Sequence, residues 1–94
     1  MYLHIGNNVM IPQKRVIGIF NLEVTSQSKV TAAFLQRAEQ EGTVISECDD
    51  IPKSFLVCDH PYHPQIVYLS QLNSKTLQMR MEQEKSVTIR EKEI

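Results

Sequence analysis

The run Val16-Ile17-Gly18-Ile19-Phe20, entered through Lys14-Arg15, leaves this chain few folds to choose from. β-Branched and aromatic side chains at nearly every position suit a strand, and they leave neither of its faces polar. Arg15–Phe20 is therefore expected to be a central strand, buried on much of both faces, with Gly18 admitting close packing. A second compact run, Phe55-Leu56-Val57-Cys58, precedes the turn Asp59-His60-Pro61-Tyr62-His63-Pro64. With Ile66-Val67-Tyr68-Leu69 it reads as an antiparallel pair.

Around these strands the punctuation is clear. Gly6-Asn7-Asn8 separates residues 2–5 from Val9-Met10-Ile11 and predicts two short strands or a hairpin. Pro12 has no backbone donor and belongs at an edge or end, and Gln13-Lys14 forms a turn before the next strand. Residues 21–27 read as a connector. Ser28–Glu41 is the clearest helix, because Val30, Phe34 and Ala38 recur at four-residue spacing, with Ala33 and Leu35 widening the apolar stripe. Ser28 or Ser26 can cap it, and Gly42 is placed to end it. Val44-Ile45 resumes extended structure, Glu47–Pro52 reads as a loop, and Asn73 or Ser74 can cap a last helix carrying Leu77 and Met81, with Met79 on its flank.

The order predicts an α+β domain: a small mixed or antiparallel sheet with one central helix and a C-terminal helical segment. Ninety-four residues with 41% hydrophobic side chains support one core, assigned to residues 1–84. Residues 85–94 form a charged tail, either frayed or ordered only against another subunit. A core this thin makes self-association a natural supplement. No stretch approaches the roughly 20 apolar residues of a membrane span, and Met1–Gly6 has neither a basic start nor a sustained apolar run, so cytoplasmic residence is the expectation.

Catalytic chemistry finds little support. Gly6, Gly18 and Gly42 are too dispersed to cradle a phosphate. His60 and His63, with Cys58 and Asp59 before them, match no strong zinc spacing and suit a rigid surface turn. His4 is expected to be satisfied within its strand. Cys48 sits among Glu47, Asp49 and Asp50, whose charges oppose a thiolate, and Cys58 reads as a packed strand residue. The expectation is no enzyme, no metal and no cofactor.

The basic residues are more informative. Ten cations nearly balance eleven anions, yet residues 1–37 hold Lys14, Arg15, Lys29 and Arg37 against Glu23 alone. Lys14-Arg15 stands at a strand entrance and Lys53 at the end of a loop before another. Arg offers a planar donor fork for phosphate or a guanine edge, and Lys a more diffuse phosphate contact. These cations suit duplex DNA, a protein or small-anion contact, or plain solvation.

Three stretches carry a resemblance: Met1-Tyr2-Leu3-His4-Ile5-Gly6, Arg15-Val16-Ile17-Gly18-Ile19-Phe20 and Ile51-Pro52-Lys53-Ser54-Phe55-Leu56-Val57. Over about residues 1–80 the chain resembles the RemA/RemB family of bacterial extracellular matrix regulatory proteins. The resemblance implies a DNA-binding regulator of genes for biofilm matrix production and osmoprotection. It also implies a fold that is LytTR-like in part and a ring-like homo-oligomer, with a related RemA-like protein as a further partner. A DNA-contacting arginine of the family maps onto Arg15. A pair of family arginines falls at Ile51 and Pro52, which lack charge, and Lys53 beside them does not restore two guanidinium forks. The resemblance thus implies DNA binding through Arg15, Lys14 and Lys53, weaker or altered relative to the family pattern. The alternative it leaves is a structural or interaction protein that assembles without strong DNA binding.

Overall fold

The computed structural model describes residues 1–25, 27–46, 48 and 50–82. The expected tail at 85–94 and the alternative cap Ser26 lie outside the described residues.

The chain opens with β1 (Tyr2–His4) and β2 (Met10–Pro12), an antiparallel hairpin pairing Leu3 with Ile11. Its turn needs left-handed backbone, which Gly6, Asn7 and Asn8 supply at φ of 103°, 49° and 63°. Leu3, Ile5 and Ile11 are buried while Tyr2, His4 and Met10 face out, so alternation lays one hairpin face on the body of the protein.

A 3-10 turn, Gln13–Arg15, leads into β3 (Val16–Asn21). The expected plain connector holds a short helix, α1 (Leu22–Thr25). Asn21 nucleates it: its Oδ1 accepts from the amides of Glu23 at 2.9 Å and Val24 at 3.3 Å. Next comes α2 (Lys29–Gln40), capped by Ser28, whose Oγ accepts from the Thr31 amide at 3.4 Å. Gly42 ends this helix at φ 72°, donating to the Glu39 carbonyl at 3.1 Å. Then follow β4 (Val44–Ser46), β5 (Ser54–Cys58) and β6 (Ile66–Ser70). Residues 74–82 form α3, with the Thr76 amide donating to Asn73 Oδ1 at 2.8 Å.

The larger sheet is mixed, with order β3-β5-β6-β4; β5 is antiparallel to β3 and β6, and β4 runs parallel to β6. The expected pairing of β5 with β6 is present, but the expected central position of β3 is not. β3 is an edge strand and β5 is the buried one, with all five residues in the interior. Covering layers account for this. Leu56 and Cys58 face the hairpin and α3, packing with Leu3, Ile5, Ile11 and Leu77. Phe55 and Val57 face α2, packing with Ala38 and Val67. Strand β3 shares both layers only partly, through Val16 and Ile19 on the hairpin side, and leaves Ile17 66% exposed. Val30, placed by its spacing in the helix stripe, is likewise 80% exposed, because α2 packs on β5 and β6 through Ala38 while its first turn borders an open groove beside β3.

Two buried serines tie the layers together. Ser70 Oγ donates to the Ile5 carbonyl and Ser54 Oγ to the Leu72 carbonyl, both at 2.7 Å. Each satisfies a polar group that burial would otherwise penalise.

Candidate nucleic-acid interface

Arg15 closes the 3-10 turn Gln13–Arg15, which is bonded to the rest of the chain at both its ends. The Asp59 amide donates to the Arg15 carbonyl at 2.9 Å, and the Gln13 amide donates to the Met1 carbonyl at 3.0 Å. Its guanidinium is free to point outward, 37% exposed, with Nη1 3.7 Å from Asp59 Oδ1. An ion pair this exposed contributes roughly 0–1 kcal/mol, so an incoming phosphate can replace the carboxylate at little cost. Lys14, beside it in the same turn, is exposed. These two predicted residues form one basic corner.

Lys53 lies elsewhere. Its amide donates to the Ser70 carbonyl at 2.8 Å and its carbonyl accepts from the Leu22 amide at 3.0 Å. The β3–β5 register sets Val16 opposite Cys58 at one end and Asn21 opposite Ser54 at the other. Lys53 precedes Ser54, so within one chain the length of the strand, roughly 17 Å at about 3.3 Å per residue, separates it from Arg15. Ile51 and Pro52, where the resemblance places an arginine pair, share the Lys53 end; Ile51 is 79% exposed.

The Asp59–Pro64 turn flanks the Arg15 corner. Its rings cluster, His60 lying 5.9 Å from Tyr62 and 5.1 Å from His63 between centroids. The Tyr62 amide donates to His60 Nδ1 at 3.1 Å. Among the described residues no three His, Cys, Asp or Glu side chains converge as a metal site. His4, expected to be satisfied in its strand, stands beside Arg80, whose Nη1 donates to the His4 carbonyl at 2.8 Å and lies 3.4 Å from its Nδ1.

Cys58 is a poor nucleophile. Burial, then the neighbouring Asp59 charge, pushes Cys58 up to about 11, so it is a neutral thiol at physiological pH. Cys48 donates its S–H to the Leu69 carbonyl at 3.3 Å. The link between Asp59 and Arg15 was missed from sequence because it spans the chain; only the register of the two strands reveals it.

A protein-family model described as RemA-like, extracellular matrix regulatory protein A-like, matches residues 2–81. The chain belongs to this RemA-like family. Extracellular matrix regulatory protein B of Bacillus subtilis (strain 168) is similar, at 30% identity over 80 residues, covering 85% of this chain and 89% of that protein. The RemA-like match spans the hairpin, both faces of the sheet and α3 as far as Met81. The family is one of regulatory, non-catalytic proteins linked to the extracellular matrix. No helix among the described residues is long and apolar enough to cross a membrane.

Proposed function

We propose that this RemA-like chain is a DNA-binding regulator of extracellular matrix genes, acting in the cytoplasm as a ring-like homo-oligomer. In this reading residues 1–84 work as one unit. Arg15 and Lys14 contact phosphate or base edges from the basic corner, and Lys53 adds a weaker contact from the other end of β3. The observation that carries the reading is the mounting of Arg15: a backbone pinned to the sheet, a side chain reaching solvent, and an opposing charge that only a long, exposed contact supplies. A rigid mount lowers the entropy lost when a polyanion binds, and repetition over copies multiplies a modest contact.

Fluorescence anisotropy with duplex DNA tests this. Arg15→Ala is expected to weaken binding roughly tenfold, while Arg37→Ala on α2 stays within about twofold of wild type. Equal affinities for wild type and Arg15→Ala would remove the basic corner from the interface.

A second reading is favoured by the uncharged pair at Ile51 and Pro52. Here the chain is a partner of a related RemA-like regulator, lending structure to a mixed assembly without strong DNA contacts of its own. Wild-type protein that assembles yet shows no salt-sensitive DNA binding supports this reading.

A further inference from the structure

The N-terminal hairpin turns Leu3 and Ile11 to the core and leaves Tyr2 and Met10 on its outward side, 56% and 58% exposed. Tyr2 lies opposite Pro12 in the β1–β2 register. Because the Gln13 amide bonds the Met1 carbonyl one step further on, the Tyr2–Pro12 pair falls between ladder hydrogen bonds. There the missing proline donor costs nothing, and facing side chains approach closely. The chain then enters the turn Gln13–Arg15, so the hydrogen bond that closes the hairpin also carries the basic corner up to Tyr2. Met1, Tyr2, Pro12, Gln13, Lys14 and Arg15 line one open groove of about 570 Å³. None of these lining residues is acidic; the groove carries two cations and one aromatic ring.

We infer that Tyr2 is a DNA-contacting residue, its ring packing on the sugar and base edge of a nucleotide whose phosphate lies on Arg15 and Lys14. The inference rests on the proposed function and deepens it at the same corner. A nucleotide joins a charged phosphate to a flatter, more apolar sugar and base, and this groove offers a complement to each part. A tyrosine ring suits the second task, because it supplies a large contact area with only two side-chain torsions to freeze. Single exposed aromatic residues are ordinary on protein surfaces. What singles out Tyr2 is that strand register and a backbone hydrogen bond hold it in one groove with both cations. The two kinds of contact are separable. Arg15 acts through charge and sets part of the salt dependence, whereas the ring adds affinity that salt does not screen.

Anisotropy with labelled duplex DNA over a salt series tests the role of the ring. Tyr2→Ala should weaken binding roughly fivefold or more at every salt concentration. Its logarithmic salt slope should match wild type, because an uncharged side chain releases no counterions, whereas Arg15→Ala should flatten the slope. Tyr2→Phe should stay within roughly twofold of wild type. So should Tyr62→Ala, whose ring is 86% exposed beside the corner but does not line the groove. A folded Tyr2→Ala that binds like wild type, one that loses salt slope along with affinity, or a Tyr2→Phe as weak as Tyr2→Ala overturns the inference. If circular dichroism shows that Tyr2→Ala does not fold, Tyr2→Trp decides, since the sequence has no tryptophan of its own and the emission then reports this position alone. That emission should change at saturating DNA, and an unchanged emission overturns the inference. Weakened binding by Arg15→Ala beside an unaffected Tyr2→Ala strikes only the role of Tyr2. Equal binding by wild type and Arg15→Ala sinks the proposed function and this inference together.

Discussion

Strands β3 and β5 are written in similar apolar alphabets, Val-Ile-Gly-Ile-Phe against Phe-Leu-Val-Cys, yet one lies at the edge of the sheet and the other at its buried centre. The difference lies in what covers them. Two layers close over β5, the hairpin with α3 on one face and α2 on the other, whereas β3 receives part of one and the rim of the other. Apolarity reports that a surface is to be covered. It does not say whether the cover is this chain's own or a second copy's.

Truncating one side chain in each strand separates the two most clearly. Leu56→Ala should cost about 3 kcal/mol, because Leu56 is wholly buried and its removal leaves a cavity. Ile17→Ala, measured by urea unfolding at a dilution that disfavours assembly, should stay within about 0.5 kcal/mol. Similar losses at both sites would mean that the strands share one environment.

Next in size is a pH effect confined to β5. An unfolded Cys58 titrates near its ordinary value of 9.0 and the folded one near 11, so between these values the unfolded chain releases a proton that the folded chain retains. Stability is therefore complete below pH 9 and falls as pH rises toward 11, by about 2 kcal/mol. Unfolding curves of wild type and Cys58→Ala should diverge across that window; parallel curves would show a thiol that titrates normally.

Gly18→Ala should cost about 1 kcal/mol, since the added Cβ must displace the Phe20 ring. Replacing Phe20 by Leu should abolish most of that cost, a coupling that a double-mutant cycle reads directly. Independent effects would mean that the ring does not lie over the glycine.

The smallest effect joins the two strands at the basic corner. Asp59→Asn removes the charge opposing Arg15 and should tighten duplex DNA binding about two- to threefold while leaving stability within about 0.5 kcal/mol. Weaker binding would give Asp59 a positioning role.

Much of this was readable in the sequence because it is local. Gly6-Asn7-Asn8 announces a hairpin, since left-handed backbone favours those residue types. Ser28 and Gly42 mark the helix ends by the same kind of local chemistry, and Asn73 marks the start of α3. Strand order is not local: nothing in Val16–Phe20 tells which neighbour lies beside it, so its edge position escaped. Val30 escaped for a related reason, since four-residue spacing defines a helix face without saying how far the sheet beneath extends. The roles of Ser54 and Ser70 depend on carbonyls distant in sequence. Of the candidate site, Lys14 and Arg15 adjoin in the chain and adjoin in the fold, whereas the separation of Lys53 follows only from the antiparallel register.

The measurement that bears most directly on the account is duplex DNA affinity as a function of salt for wild type and Arg15→Ala. Each phosphate contact releases condensed counterions, so wild-type binding should fall steeply as salt rises, and the logarithmic slope of Arg15→Ala should be shallower by about one. Identical slopes and affinities would show that Arg15 touches no phosphate, and would contradict the account.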